Sequence, residues 1–196
     1  MRISCLGMSR MCKSDLICNS DLKLVFDNDC LASFIWIHRL DILETLYKGR
    51  MYVPQIVVDE FSFLKSSSRY KWVYEDLLAA IQQGQFTYIE IKVGDKAFDE
   101  YNRLRKQNKG KGESAAIAIA KTMDNYTACN NLRDIRPFID NGEINNIVTL
   151  DILYEYYIYE NKSIADIEKI ITDMRYRKRR LPDISFEEYL KNRKNN

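Results

Sequence analysis

LVFDNDCLASFIWIHRLDILETLYKGRMYVPQIVVDEF, residues 24–61, decides the fold. Its first residues continue a short apolar, β-prone run, Leu22 to Phe26, which stops at the polar group Asp27-Asn28-Asp29. A strand buried on both faces reads as such an unbroken apolar run and ends where the chain reaches the rim of its sheet. Apolar residues at helical spacing follow over Leu31 to Trp36 and Leu40 to Leu46, with Lys48 and Gly49 as a stop. Met51 to Val53 is a second strand, and Pro54 suits the first position of a helix over Gln55 to Leu64. Strand, helices, strand, helix is the grammar of a parallel sheet with helical crossovers.

The rest of the chain repeats that grammar. After a break at Ser66 to Ser68, a helix is expected over Lys71 to Gln82, then a strand over Phe86 to Val93, where FTYIEIKV alternates. A polar helix over Lys96 to Lys106 leads through Lys109-Gly110-Lys111-Gly112 into a helix of small residues, Glu113 to Met123. Tyr126 to Cys129 and Ile144 to Val148 read as further strands, and Leu150 to Tyr159 and Ile164 to Tyr176 as amphipathic helices. Ser185 with Glu188 forms a capping box for a last one. The expected fold is α/β: a parallel β-sheet flanked by helices in three layers, as one domain. Residues 1–22 read as an N-terminal extension, 23–160 as the domain, and 161–196 as a basic helical extension packed on it.

With 196 residues and 46% hydrophobic content, the chain builds one core rather than two. Thirty Lys and Arg against 28 Asp and Glu leave a net charge of +2, so nucleic-acid affinity has to come from local patches. A single histidine, His38, excludes imidazole-pair RNA cleavage and three-histidine zinc chemistry; at a helix end it reads as a packing or capping residue. The cysteines Cys5, Cys12, Cys18, Cys30 and Cys129 form no C-x-x-C pair and are odd in number, which points to reduced thiols inside a cell. No apolar run has the length of a signal peptide or a membrane span, so a cytoplasmic protein is expected, with Met8 or Met11 as alternative starts.

In parallel sheets ligands bind beyond the carboxyl ends of the strands. Asp27 and Asp29 stand there after the first strand, Asn130 and Asn131 after a later one. Glu60 lies in the helix after the second strand, and Glu113 opens the helix behind the glycine loop. If they converge, they form an oxygen-only, anionic set, which suits the hard cations Mg²⁺ or Mn²⁺.

The quoted segment resembles the opening of a PIN domain: apolar strand, Asp, helix pair, then a V-P-x-x-V-x-x-E block. GKGESAAIAIA, residues 110–120, is similar to the family's G-x-G-E-x-x-A-x-x-x-A segment, and ACNNLRDI with VTLDIL to its last core strand and following helix. The likeness spans about residues 24–153 and is greatest to VapC-like toxins of toxin–antitoxin pairs. It implies a metal-dependent endoribonuclease that binds Mg²⁺ or Mn²⁺ through Asp27, Glu60 and Glu113. Asp27 is the central ligand; Glu60 and Glu113 flank it or orient the nucleophile. The fourth family position, usually Asp, is Asn130 or Asn131 here, which would bind the metal through an uncharged amide oxygen, with Asp134 and Asp29 as nearby substitutes. An antitoxin partner and a homodimer are carried by the resemblance alone.

Each residue also has a structural reading. Glu113 suits a helix N-terminus, Glu60 beside Asp59 a solvated helix face, and Asp27 or Asn130-Asn131 a turn. Arg103, Arg105, Lys109 and Lys111 approach the glycine loop and are the expected RNA contacts. A second basic run, Arg175 to Arg180 around Tyr176, reads as a further RNA-binding cluster with the tyrosine for base stacking, or equally as a solvated face or a partner-binding tail. Asp27-x-Asp29 is also similar to haloacid-dehalogenase-type phosphatases, although Leu31 stands where their Thr is expected. A PIN fold that has lost catalysis and serves as an RNA- or protein-binding module is the third alternative.

Overall fold

The computed structural model describes residues 16–195, with side chains to residue 193, so Cys5, Cys12 and the alternative starts Met8 and Met11 lie outside the described residues. Five parallel strands form one sheet in the order β3-β2-β1-β4-β5: β1 Leu24–Phe26, β2 Met51–Pro54, β3 Thr87–Ile89, β4 Tyr126–Ala128 and β5 Asn145–Ile147. The chain lays β2 and β3 on one side of β1, then crosses to lay β4 and β5 on the other. The order therefore reverses between β1 and β4, and the crevice beyond their carboxyl ends is where ligands bind in such sheets.

Helices cover both faces because the strands are apolar on both. Leu24 and Phe26 point into the main core, which α1 (Asn28–Ile35), α2 (Leu40–Tyr47), α4 (Lys71–Gln82), α8 (Thr149–Tyr159), α9 (Ile164–Tyr176) and Phe186 of α10 (Phe186–Asn195) complete. Val25 points the other way, onto Ala116, Ile119 and Ala120 of α6 (Lys111–Met123). α5 (Lys96–Lys106) closes that side with Leu104 packed among Ile117, Ala118 and Cys129. Ala115, Ala116, Ala118 and Ala120 are all buried, so α6 lies close on the sheet and carries its first turn to the β1 rim.

Several elements differ from the sequence expectation for identifiable reasons. The alternating stretch Phe86 to Val93 forms only three residues of strand. β3 is an edge whose sole neighbour, β2, turns at Pro54 into α3 (Gln55–Phe61), leaving residues beyond Ile89 nothing to pair with. Pro54 ends β2 and caps α3 rather than starting it, and α3 tightens after Phe61 into a 3₁₀ turn, Ser62–Ser66. α6 begins at Lys111, two residues early. A helix not anticipated, α7 (Leu132–Asp140), follows β4; Pro137 inside it disguises its pattern.

Residues 16–22 are tied down from two sides. Buried Glu155 on α8 accepts hydrogen bonds from the backbone N–H groups of Ile17 (2.7 Å) and Cys18 (2.9 Å) and from the Tyr47 hydroxyl (2.9 Å). The Arg50 guanidinium donates to the carbonyls of Ile17, Cys18, Leu22 and Leu46 at 2.7–3.0 Å. Four bonds from one charged donor predict that Arg50→Ala lowers stability by on the order of 3 kcal/mol. Urea unfolding and protease cutting within residues 16–22 measure it; an unchanged midpoint with an uncut segment would contradict it.

Candidate active site at the β1 and β4 rim

Asp27 leaves β1 at its carboxyl end and is 6% exposed. Its backbone N–H donates to the Ala128 carbonyl of β4 (3.0 Å), so the residue continues the ladder for one step. It then caps α1: Oδ1 accepts from the Asn28 N–H at 2.7 Å. Oδ2 accepts from the buried Cys129 thiol at 3.3 Å. Two weak or neutral donors do not replace lost hydration, and burial holds the Asp27 carboxyl up at about 6, with Asp29 and Glu60 adding like charge.

Glu60 reaches the same rim from α3. Its Oε1 accepts from the Gly112 backbone N–H (2.8 Å), one of the unpaired donors at the start of α6, and its Oε2 accepts from Asn28 Nδ2 (3.0 Å). Asn28 therefore bridges the two acids. Gly112 is glycine because of this approach: a Cβ there would lie 2.7 Å from Oε2 and 3.0 Å from the Glu60 carboxyl carbon.

Glu113, the next residue on α6, is 7% exposed, and among the described residues its buried Oε1 has no hydrogen-bond partner. Burial first, then the charges of Asp134 and Asp27, push its carboxyl up to about 7, against the opposing pull of Lys109 and the Gly110 backbone N–H. Asn130 faces α8: its Oδ1 accepts from the Thr149 N–H and its Nδ2 donates to Thr149 Oγ1, both at 2.9 Å. Asn131 donates through Nδ2 to Asp134 Oδ2 at 2.7 Å. Asp134, in the first turn of α7, is thus a fourth carboxylate of the rim, and with Asp27 its charge acts on Glu113.

The basic residues near the glycine loop divide. Arg103 is engaged by Glu100 at 2.6 and 2.8 Å, and Arg105 donates to the Lys109 carbonyl. Lys109 donates to the Asp134 carbonyl (2.6 Å) beside Glu113, and Lys111 is exposed at the head of α6. Asn28, Gly112 and Cys129 were not anticipated as site residues. Their contacts reach 32, 52 and 102 positions along the chain, and position beside Asp27, Glu113 and Asn130 is their only local signal.

Among the described residues no three His, Cys, Asp or Glu side chains converge on one point as they stand; the acids couple pairwise. The donor set nevertheless fits a hard divalent ion, since it is carboxylate oxygen throughout and one buried oxygen, Glu113 Oε1, is orphaned. That orphan speaks for the fit, because a buried carboxylate oxygen with no donor is stabilised by a counter-charge, a proton at low pH or a cation above it.

The raised carboxyls make stability depend on pH in a definite direction. Folding retains protons on Asp27 and Glu113 that the unfolded chain releases near pH 4, so the stability they contribute is complete below about pH 4 and lost as pH rises through 6 and 7. In chelator the melting temperature is expected to fall between pH 5 and 8, by the equivalent of a few kcal/mol (roughly 1.4 per shifted unit). A divalent ion should restore it at pH 8. A melting temperature that rises over that window would contradict the assignment.

Comparison with known proteins follows the same lines. A family model described as a PIN domain (DUF3368) matches residues 23–195. Among curated proteins none matches. Among solved structures the chain is similar to one in the crystal structure of VapBC2 from Rickettsia felis bound to a DNA fragment from their promoter. The identity is 17% and the TM-score 0.50, over 65% of this chain and 98% of the other.

Proposed function

The chain belongs to the PIN-domain family, and from that membership and the buried acids at its β1 and β4 rim we propose that it is a metal-dependent endoribonuclease, the toxin of a toxin–antitoxin pair. The observation that carries the reading is the orphaned Glu113 oxygen beside Asp27, two buried acids that burial and like charge leave short of positive charge. When bound, Mg²⁺ or Mn²⁺ supplies counter-charge to the phosphodiester and Lewis acidity toward water. Asp27, Glu60 and Glu113 are the residues to hold it, with Asp134 as the fourth acid.

The protein's own groups do the rest. The start of α6 and Asn28 fix both oxygens of Glu60, so that carboxylate is oriented before substrate arrives. The Cys129 thiol holds Asp27 through one oxygen and the α1 N-terminus holds it through the other. Lys109 and Lys111 stand where a phosphate chain entering the rim meets positive charge, which predicts salt-dependent binding. Water is the nucleophile in such chemistry, so cleavage leaves a 5′-phosphate and does not depend on the ribose 2′-hydroxyl.

Support for a protein partner comes from the likeness to the VapBC2 structure, which was solved on promoter DNA. Labelled RNA incubated with Mg²⁺, Mn²⁺ or chelator tests the enzyme. Metal-dependent cleavage is expected, and RNA retention without cleavage would favour a binding module instead. Arrest of growth on expression in a bacterial host is expected of a toxin; undiminished growth with confirmed folded protein counts against that part.

A further inference from the structure

The second basic run spans the last turn of α9 and the start of its connection to α10, and one of its residues is set apart by its surroundings. Arg177, Lys178 and Arg180 are exposed, whereas Arg179 is half-buried with its guanidinium 5.1 Å from the centre of the Trp36 ring. Trp36 caps the carboxyl end of α1, seven residues after Asp29. Seven residues are two helical turns, so Asp29 and Trp36 share one face of α1, and the charge of Asp29 acts on Arg179. Arg179 therefore lies along the helix that Asp27 begins.

Its hydrogen bonding is incomplete. Nε donates to the Arg177 carbonyl at 3.1 Å, and among the described residues the two terminal nitrogens have neither a hydrogen bond nor an ion pair. Trp36 is itself braced by Tyr70 (5.1 Å) and Trp72 (5.9 Å), so the ring beneath the guanidinium is fixed. A planar cation preorganised on an aromatic face, with its forked donors vacant, is matched to a phosphate group more closely than to any neutral ligand.

We propose that Arg179, stacked on Trp36, binds a backbone phosphate of single-stranded RNA and positions the strand along α1 toward the acid rim. The inference deepens the nuclease reading by assigning the α9–α10 connection a role in holding substrate. It makes Arg179 a binding and positioning residue, separate from the acids. Arg179→Lys keeps the charge and loses the fork, so it distinguishes phosphate recognition from general attraction.

The test is anisotropy titration of a labelled oligoribonucleotide in chelator, with Asp27→Asn as parent so that cleavage does not intervene. Arg179→Ala is expected to weaken binding about tenfold and to lower the slope of log affinity on log salt by about 0.7, one phosphate's share for a single strand. Arg179→Lys is expected to recover less than half of the loss, with thermal midpoints close to the parent's. Equal affinity and slope in all three proteins, no RNA binding by the parent, or losses that follow a fall in thermal midpoint would each overturn the proposal. Parallel turnover with Asp27 intact separates the two readings. Cleavage with KM unmoved by Arg179→Ala leaves the nuclease and removes this inference, whereas the affinity loss without any cleavage does the reverse.

Discussion

Asp27→Asn is expected to abolish RNA cleavage while making the metal-free protein more stable at pH 8. The side chain is almost fully buried, and burial holds its carboxyl at about 6, so at pH 8 the folded protein carries an ionised group that its surroundings disfavour. Asparagine has the same shape and keeps an oxygen for the Asn28 N–H that opens α1. Removing the charge is therefore expected to raise stability in chelator by on the order of 2 kcal/mol at pH 8 and by little at pH 5. If Asp27 is the central anionic ligand of the proposed nuclease, its loss is expected to lower cleavage on the order of a thousandfold or more. Thermal melts at the two pH values, beside cleavage assays on the same preparations, check both halves. A variant that is inactive and less stable at pH 8 would show that Asp27 is a structural cap and not a strained functional acid.

Gly112→Ala is the second large effect, and it separates function from folding in a different way. The added Cβ would meet the Glu60 carboxylate at 2.7 Å, closer than such atoms approach. The obstacle is the end of a flexible side chain on α3, so the backbone has no need to shift. Alanine also favours the first turn of α6 by up to about 1 kcal/mol over glycine. Stability is expected to stay within about 1 kcal/mol of the parent. Glu60, however, loses its place against the Gly112 N–H, and a displaced orienting group costs about 10- to 100-fold in activity or metal affinity. Full activity would show that Glu60 takes no part in the chemistry; a large fall in stability would show that the α3 and α6 junction is rigid.

What the sequence disclosed follows from how far each interaction reaches. β1 and its terminal Asp27, the helices α4, α5 and α9, and the parallel layering rest on local signals: apolar runs, capping residues and helical period. Glu60 and Glu113 could be named because fixed blocks surround them. Their surroundings could not, since Asn28 joins Glu60 across 32 residues and Cys129 joins Asp27 across 102. Gly112 reads as loop flexibility in the sequence, whereas in the structure it is the clearance for a carboxylate. The alternation over residues 86–93 overstates β3, because alternation marks a suitable strand and says nothing about the length of its neighbour. The interior proline of α7 hides that helix, although Asp134 in its first turn is legible as a candidate fourth acid.

The clamp of Glu155 on Ile17 has a consequence for how the molecule comes into being. The two residues are 138 positions apart, and the acids of the rim depend on β4, which is itself laid beside β1 only after two intervening strands. Contacts between segments so distant in the chain form slowly and late. During synthesis the first segment waits, unfastened, until α8 has left the ribosome, and chains cut short before β4 carry Asp27 on a strand lacking the neighbour that seats it. The acid rim is thus seated only in nearly finished chains.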